Sequence, residues 1–210
     1  MLPSVYPILD TTALAARGIT PTAAAEAFLE SSARILQFRH KGFWSREVFA
    51  TAQQIARLCK EAGALFIVND RADYAALLGA GLHVGQDDIA PLDARRVIGP
   101  DAVLGFSTHN AGQMCAAANE PISYAAFGPV FTTGSKERPD PTVGIEALRE
   151  ARALTDKPLV AIGGITRENA SLCWKAGADS VAVIADLLPV SCTKRTLRDR
   201  MTEWRQLNPR

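Results

Sequence analysis

Residues 65–71, Leu-Phe-Ile-Val-Asn-Asp-Arg, decide the fold of this chain. The first four form an unbroken apolar run, which is typical of a strand buried on both faces of a parallel sheet. The run stops at Asn69 and Asp70, and parallel α/β proteins place their chemistry at the carboxyl ends of strands. We therefore predict that Asp70 holds a metal ion. The competing interpretation is a turn in which Asn69 and Asp70 cap a helix that begins near Ala72.

The alternation of an apolar run with a helical pattern repeats along the whole chain. Strands are predicted at 5–10, 34–39, 65–68, 82–84, 103–106, 124–127, 159–162 and 180–184. Helices are predicted at 21–31 (with Pro21 at the first helical position), 46–62, 72–78, 91–98, 111–118, 143–154, 168–176 and 194–207. The polar cluster Asp10-Thr11-Thr12 is expected to form a loop.

Eight such units predict closure into a single (β/α)8 barrel, a TIM barrel with short loops, as one domain over residues 1–210. An open doubly wound sheet is the alternative architecture. A Gly-x-Gly-x-x-Gly motif would favour that alternative, and it follows none of the predicted strands.

Composition and charge narrow the class of protein. An apolar content of 48% and a charged content of 21% are ordinary for a globular protein, and a net charge of +1 argues against binding to nucleic acid or a membrane surface. The four cysteines have neither zinc-like nor redox-like spacing. The start resembles no leader, and no segment approaches 18 uncharged apolar residues, so we expect a cytoplasmic protein.

Charged residues of both signs follow the predicted strands. The cations are Arg39, Lys41 and Lys136, and the acids are Asp70, Asp87 and Asp88. If the fold is a barrel, these loops meet on one face. Carboxylates without cysteine ligands favour Mg2+, which takes one or two carboxylates together with waters and substrate phosphates. Each residue alone could equally be a solvated charge or a helix cap.

Two glycine-containing segments favour anion binding. Gly163 and Gly164 would let backbone amides approach a phosphate after the seventh strand, although a tight turn explains them equally well. Residues 132–136, Thr-Thr-Gly-Ser-Lys, offer hydroxyls and a cation, and the segment up to Val143 suggests a mobile lid.

The three histidines carry less information. His83 is expected to be a hydrogen-bonded interior residue, because it lies inside a short predicted strand. His40 and His109 lie at loop positions from which they could contact a ligand. The sequence assigns neither of them a role in proton transfer.

Six motifs in order resemble the thiamine phosphate synthase family between residues 5 and 187. They are QFRHK at 37–41, NDR at 69–71, HVGQDD at 83–88, GFSTH at 105–109, GPVF at 128–131 continuing to Lys136, and AIGGI at 161–165. The resemblance implies a (β/α)8 barrel that joins 4-amino-5-hydroxymethyl-2-methylpyrimidine diphosphate to hydroxyethylthiazole phosphate. The products would be thiamine phosphate and pyrophosphate, with pyrophosphate leaving first and the thiazole nitrogen capturing the resulting pyrimidinylmethyl cation.

The resemblance also implies roles for individual residues. Asp70 and Asp88 would bind Mg2+. The pyrimidine diphosphate would be held by Gln37, Arg39, Lys41, Asn69, Ser107 and Lys136, of which Arg39, Lys41 and Lys136 would also assist catalysis. The thiazole phosphate would be received by Thr133, Ser135, Gly164 and the backbone near Ile184 and Ala185. The substrates are small molecules, and the oligomeric state stays open, with a homodimer as one option.

The chain departs from the family pattern at three places. His40 stands where an acid is common, Thr132 where proline is common, and Ala185-Asp186 where Ser-Ala is common. The last departure removes a serine hydroxyl from the expected thiazole phosphate site and adds the negative charge of Asp186 near it.

Two alternative functions remain open at this point. A related thiazole tautomerase shares the fold but, as this resemblance implies, uses a histidine after the sixth strand, where this chain has Pro129. A binding protein that senses thiamine phosphate without turnover is the other. The set of Arg39, Lys41, Asn69, Asp70 and Asp88 favours the synthase, because a sensor has no need of a metal-assisted leaving group.

Overall fold

The computed structural model describes residues 2–133 and 141–207. These residues form eight parallel strands that close into a barrel in the order β1 to β8. The strands are β1 Val5–Asp10, β2 Ile35–Arg39, β3 Leu65–Asn69, β4 Gly81–Val84, β5 Leu104–Thr108, β6 Tyr124–Phe127, β7 Leu159–Ile162 and β8 Ser180–Val183. The predicted (β/α)8 barrel is confirmed, and the doubly wound alternative is wrong.

Helices alternate with the strands around the outside of the barrel. They are α1 Thr11–Ala16, α2 Pro21–Glu30, α3 Arg46–Glu61, α4 Ala72–Leu78, α5 Pro91–Ile98, α6 Ala111–Ala118, α7 Gly144–Ala153, α8 Ala170–Lys175 and α9 Lys194–Leu207, with a 3-10 turn at Ala185–Leu187. Within the described ranges, no helix combines the length and apolarity that crossing a membrane requires.

The apolar core has two layers because successive strand residues point to opposite faces of the sheet. The larger layer lies between the strands and the helices. The smaller one fills the barrel interior and consists of Tyr6, Ile8, Ile35, Ile67, Tyr124, Ala126, Val160 and Ala182. The barrel is therefore packed rather than open, and only the residues beyond this inner layer reach its carboxyl-terminal mouth.

The strand register brings the mouth residues to similar heights. Asp10 pairs with Arg39 across β1 and β2, and Asn69 pairs with His83 across β3 and β4. Side chains that continue the inward-facing series beyond the apolar layer thus face one another at the mouth. Parallel pairing sets this arrangement before any side-chain contact is considered.

The structure corrects the prediction of a loop at Asp10-Thr11-Thr12. Asp10 ends β1, and helix α1 begins directly after it. The Asp10 Oδ1 atom accepts a hydrogen bond of 2.8 Å from the Ala13 N–H, so Asp10 caps the helix. A polar cluster after a strand favours a loop, but an aspartate there can equally cap a helix that begins at once.

Smaller differences concern the ends of elements. Strand β5 extends to Thr108 because Ser107 and Thr108 continue the pairing with β6. Helix α8 begins at Ala170 rather than at Glu168, since the Asn169 side chain accepts a bond from the Thr166 N–H in a preceding turn. Strand β8 ends at Val183, which leaves Ile184 outside it.

Candidate active site

Asp70 lies directly after β3 in a backbone conformation that directs its side chain into the mouth. Its φ of 65° is in the left-handed region, which aspartate and asparagine tolerate better than other residues with a Cβ. Its N–H donates to the His83 carbonyl at 2.8 Å, which ties the turn to β4. The N-cap of α4 is Arg71, and no side chain caps that helix. The interpretation of Asn69 and Asp70 as capping residues is therefore wrong.

The Asp70 carboxylate is surrounded by polar groups from three loops. Lys41 Nζ, after β2, lies 2.5 Å from Oδ2, and Asn69 Nδ2 lies 2.5 Å from Oδ1. The Asp88 carboxyl is within hydrogen-bonding reach. Burial raises the pKa of Asp70, and the Asp88 carboxylate raises it further, while the Lys41 ammonium opposes both effects. Two acids and one cation thus meet at the mouth.

Asp88 is held in place from its own loop. Its Oδ2 accepts a bond of 2.7 Å from the Gly85 N–H, and a Cβ at position 85 would lie 3.2 Å from that oxygen. Asp87 is exposed, unlike its neighbour Asp88, which is half-buried. Of the three acids that the sequence singled out, the structure brings together Asp70 and Asp88.

The donor set at this position suits a hard cation. In the part of the chain that the structure describes, no three acidic, histidine or cysteine side chains form a group that could hold a metal. Mg2+ does not need such a group, because it commonly binds through one or two carboxylates and takes its other ligands from water and phosphate. The pair of Asp70 and Asp88 therefore fits magnesium in the chemistry of its donors.

Arg39 is held by a residue that the sequence analysis missed. Its guanidinium forms an ion pair with the Asp10 carboxylate, and the two side chains are 16% and 8% exposed. Both residues end adjacent strands, so the strand-end rule that singled out Asp70 could also have found Asp10. The pair fixes Arg39 at the mouth, whereas Lys41 is 52% exposed and freer to reach a ligand.

Gln37, Asn69 and Ser107 lie at the level where the interior meets the mouth. Gln37 is 3% exposed, and its Nε2 donates to the Tyr6 hydroxyl at 3.0 Å. Asn69 Nδ2 also lies 3.3 Å from the His83 carbonyl oxygen. The Ser107 Oγ lies 2.9 Å from His83 Nε2. His83 itself is 7% exposed, which confirms the prediction of a hydrogen-bonded interior histidine.

The two loop histidines contact the protein's own groups. His40 Nδ1 lies 2.8 Å from the Thr11 hydroxyl, and His40 Nε2 lies 3.2 Å from the Phe43 carbonyl oxygen. His109 Nδ1 lies 2.6 Å from the carbonyl oxygen of Gly128. These contacts give each ring a structural role in its loop.

The glycine pair after β7 packs closely against the segment after β6. Gly163 and Gly164 have φ values of 98° and 63°. A Cβ on Gly164 would lie 2.4 Å from the Thr132 carbonyl oxygen, and one on Gly163 would lie 2.4 Å from Pro129 Cβ. Such distances exclude any side chain at either position without rearrangement. The tight turn is therefore present, while the approach of its backbone amides to a phosphate stays a prediction.

The remaining predicted site residues either lie near this turn or fall outside the residues that the structure describes. Thr133 ends the described segment after β6, whereas Ser135 and Lys136 fall outside the described residues, as does most of the predicted lid. Ile184 precedes the 3-10 turn that begins at Ala185.

The added charge of Asp186 is offset locally. Arg167 Nε lies 3.0 Å from Asp186 Oδ2, and Arg200 contributes a second, longer ion pair of 3.9 Å. Arg167 lies between β7 and α8, and Arg200 lies on α9. Two arginines therefore balance the negative charge of Asp186.

A closed (β/α)8 barrel with acids and cations gathered at the carboxyl ends of its strands has the construction of a barrel enzyme. The family model described as thiamine monophosphate synthase matches residues 5–187. The chain belongs to this family, and the resemblance of its motifs is confirmed.

Individual relatives agree with the family match. The thiamine-phosphate synthase of Koribacter versatilis is 46% identical over 190 residues, which cover 89% of this chain and 90% of the relative. That of Methanoculleus marisnigri is 40% identical over 201 residues, 94% of either chain. A solved thiamine phosphate pyrophosphorylase from Pyrococcus furiosus superposes with a TM-score of 0.84 at 29% identity, covering 97% of this chain and 94% of that one.

Proposed function

We propose that this protein is a thiamine phosphate synthase, a transferase that joins 4-amino-5-hydroxymethyl-2-methylpyrimidine diphosphate to hydroxyethylthiazole phosphate and releases pyrophosphate. The observation that carries the proposal is the meeting of Asp70, Asp88 and Lys41 at the mouth. A diphosphate leaving group calls for a metal and cations at one point, and this arrangement offers two carboxylates that suit a metal together with the ammonium group of Lys41. The family match and the similar relatives support the same activity.

Asp70 and Asp88 would hold Mg2+. When bound, the ion would neutralise the charge that develops on the departing diphosphate. The close approach of the two carboxylates supports this assignment, since burial and mutual repulsion make a cation between them favourable. Asn69 would orient Asp70 through the bond of 2.5 Å between them.

The pyrimidine diphosphate would be bound by Gln37, Arg39, Lys41, Asn69, Ser107 and Lys136. Arg39 is preorganised by Asp10, so little conformational freedom is lost when it contacts an anion. Lys41 contacts the Asp70 carboxylate, and its side chain is about half exposed. Its ammonium group could therefore also reach a phosphate bound at the mouth. Fixed cations of this kind stabilise a leaving group more strongly as its charge grows.

The thiazole phosphate would lie at the seventh and eighth loops. Thr133, Ser135, Gly164 and the backbone of Ile184 and Ala185 would receive it. The missing side chain at Gly164 lets the segment after β6 pack against the turn after β7, which brings the two loops of this site together, and the ion pairs of Asp186 reduce the negative charge that would oppose a phosphate. Backbone N–H groups would replace the serine hydroxyl that Ala185 lacks.

The reaction needs no side-chain nucleophile. The bond between the pyrimidine methylene carbon and the diphosphate oxygen breaks first, and its electron pair leaves with pyrophosphate. The thiazole nitrogen then donates its lone pair to the methylene carbon and forms the new C–N bond. Arg39, Lys41 and Lys136 would assist by holding the leaving group, which accounts for the prominence of cations over bases at the mouth.

We also propose that the enzyme works in the cytoplasm as a homodimer. All four cysteines, which lie within the described ranges, are free thiols, as suits a reducing compartment. Leu77 on α4 and Leu92 on the neighbouring α5 are 71% and 56% exposed, and apolar side chains of this kind favour an interface. Light scattering should give the mass of two chains, and Leu77→Glu should reduce it to one. A monomeric wild-type protein would contradict the dimer.

The test of the activity is pyrophosphate release with each substrate alone and with both. Release that requires both substrates and Mg2+ is expected. Isomerisation of the thiazole precursor alone would indicate the tautomerase instead, and tight binding of thiamine phosphate without turnover would indicate the sensor. A rate that persists after removal of divalent ions by a chelator would refute the metal assignment.

Asp70→Asn tests the acidic pair directly. Asparagine tolerates the left-handed backbone at this position and keeps the size of the side chain, so the fold should stay intact. We expect turnover to fall at least about a hundredfold, as for other preorganised electrostatic contacts, and Asp70→Ala to lose as much. The matched control is Asp73→Asn, whose carboxylate pairs with Arg71 at the surface. Equal rates for the variants at 70 and 73 would contradict the role of Asp70.

A further inference from the structure

A chain of hydrogen bonds crosses the barrel interior from β2 to β5. Gln37 Nε2 lies 3.0 Å from the Tyr6 hydroxyl, which lies 2.9 Å from the Tyr124 hydroxyl. Tyr124 lies 2.9 Å from His83 Nδ1, and His83 Nε2 lies 2.9 Å from Ser107 Oγ. The chain begins at the buried amide of Gln37 and ends at Ser107, which is partly exposed at the mouth.

Donor counting gives this chain a direction. The Gln37 amide nitrogen can only donate, so the Tyr6 oxygen accepts. Either hydroxyl of the Tyr6–Tyr124 pair could be the donor, but the Tyr6 hydrogen has a partner in this series of bonds only if Tyr6 donates to Tyr124. In that arrangement Tyr124 donates to His83 Nδ1, which requires the neutral tautomer in which Nδ1 carries no hydrogen. The hydrogen of that ring is on Nε2 and points to Ser107. The Ser107 hydroxyl, already accepting from His83, is left to donate its own hydrogen elsewhere.

Burial keeps both phenols able to donate a hydrogen bond. Desolvation raises the pKa of both Tyr6 and Tyr124 far above that of an ordinary phenol, so both stay protonated and able to donate. The His83 ring stacks on Tyr124 with ring centroids 5.6 Å apart. Bonds in such a low-dielectric chain polarise and reinforce one another.

Gly105 in β5 leaves room for the contact between Tyr124 and His83. A Cβ at Gly105 would lie 2.1 Å from Tyr124 Cζ and 2.5 Å from His83 Nδ1. The contact between the phenol and the imidazole therefore depends on a glycine in β5. The close fit holds both rings where their bond is made.

We propose that Tyr6, Tyr124 and His83 are positioning residues that set the Ser107 hydroxyl as a hydrogen-bond donor toward an anionic oxygen of the bound substrate. This inference rests on the proposed function for the identity of that anion. The orientation itself follows from the ligand-free protein. Because the Ser107 hydroxyl would already be oriented, it would not need to reorient when negative charge develops at the mouth.

The first test is the protonation state of His83 in the ligand-free wild-type protein. The protein has three histidines, so long-range 1H–15N correlation spectra of the 15N-histidine-labelled protein can be assigned with single His→Gln variants. We expect a neutral His83 with its hydrogen on Nε2. A hydrogen on Nδ1, or a doubly protonated ring, would overturn the proposal because either state reverses or breaks the chain.

The second test interrupts the series of hydrogen bonds at Tyr6, which does not contact Ser107. Tyr6→Phe removes the link between Gln37 and Tyr124 without touching His83 or Ser107. We expect the single His83 tautomer to become a mixture and kcat/KM to fall about tenfold, as for the loss of one oriented hydrogen bond. The control is Tyr74→Phe, because Tyr74 stacks on Trp44 outside the barrel. An unchanged tautomer and unchanged kcat/KM in Tyr6→Phe would overturn the proposal.

The two tests separate this inference from the proposed function. If the wild-type protein shows the Nε2–H tautomer but does not condense the two substrates, the proposed function fails and the directed chain stands. If it condenses them but shows the other tautomer, the proposed function stands and the chain fails. The spectra also report whether Tyr6→Phe keeps its fold.

Discussion

The ion pair between Asp10 and Arg39 offers the sharpest prediction about how the mouth is held together. Asp10→Asn removes one negative charge while keeping the size of the side chain and its ability to cap α1. Arg39 would then keep its charge with a neutral partner, in a place where its side chain is only 16% exposed. Asp10→Ala removes the cap as well.

The structure sets the expected magnitudes. Replacing a charge-assisted bond with a neutral one, and leaving Arg39 less well paired, should lower the free energy of unfolding by about 2 kcal/mol in Asp10→Asn. Asp10→Ala should cost about 4 kcal/mol, since the lost cap and the lost neutral bond each add about 1 kcal/mol. The exposed pair of Arg198 and Glu30, whose side chains are 48% and 49% exposed, should contribute about 0.5 kcal/mol or less.

Urea denaturation followed by circular dichroism measures these differences. Glu30→Gln is the matched control, because it also replaces a carboxylate by its amide in an arginine pair between distant elements. The order of stability should be Glu30→Gln, then Asp10→Asn, then Asp10→Ala. If Asp10→Asn is no less stable than Glu30→Gln, burial does not strengthen the pair at the mouth and the reasoning is refuted.

Two further predictions concern close packing and thiol reactivity. Gly164→Ala should lower the free energy of unfolding by about 3 kcal/mol, because a Cβ would overlap a backbone oxygen in addition to the strain of its positive φ. Gly18→Ala, with a φ of 66° and nothing within 4 Å, should cost about 1 kcal/mol, and equal losses in urea denaturation would contradict this. Burial raises the pKa of Cys59 and Cys173 to about 12, so at pH 8 they should resist a thiol-specific disulfide reagent while the exposed Cys115 reacts. Labelling of all three at one rate in the native protein would refute that.

Much of the barrel was predictable because its signals are local. An apolar run such as the one at the start of β3 indicates a strand buried on both faces, and its repetition with helices implies closure. Asp70 and Asp88 follow adjacent strands, so their meeting at one face could be expected from chain order. Asp10 carried the same signal at the end of β1, but its neighbouring threonines led to the prediction of a loop.

Contacts across the barrel could not be predicted in this way. Tyr6 and Tyr124 are 118 residues apart and meet only because closure places β1 and β6 across one interior. The Tyr124 hydroxyl reaches His83 because Gly105 lacks a side chain. Each of these residues alone is typical of an ordinary strand.

The amino-acid sequence by itself determined the order of elements, the closed barrel and the face on which the acids and cations gather, since these follow from periodicity and from the parallel direction of the strands. The tertiary structure alone decided which groups touch: the ion pair of Asp10 and Arg39, the engagement of Asp186 by Arg167, and the hydrogen-bond chain that ends at Ser107. Such contacts depend on side-chain directions and interior volumes, which exist only once the strands have closed around a common core.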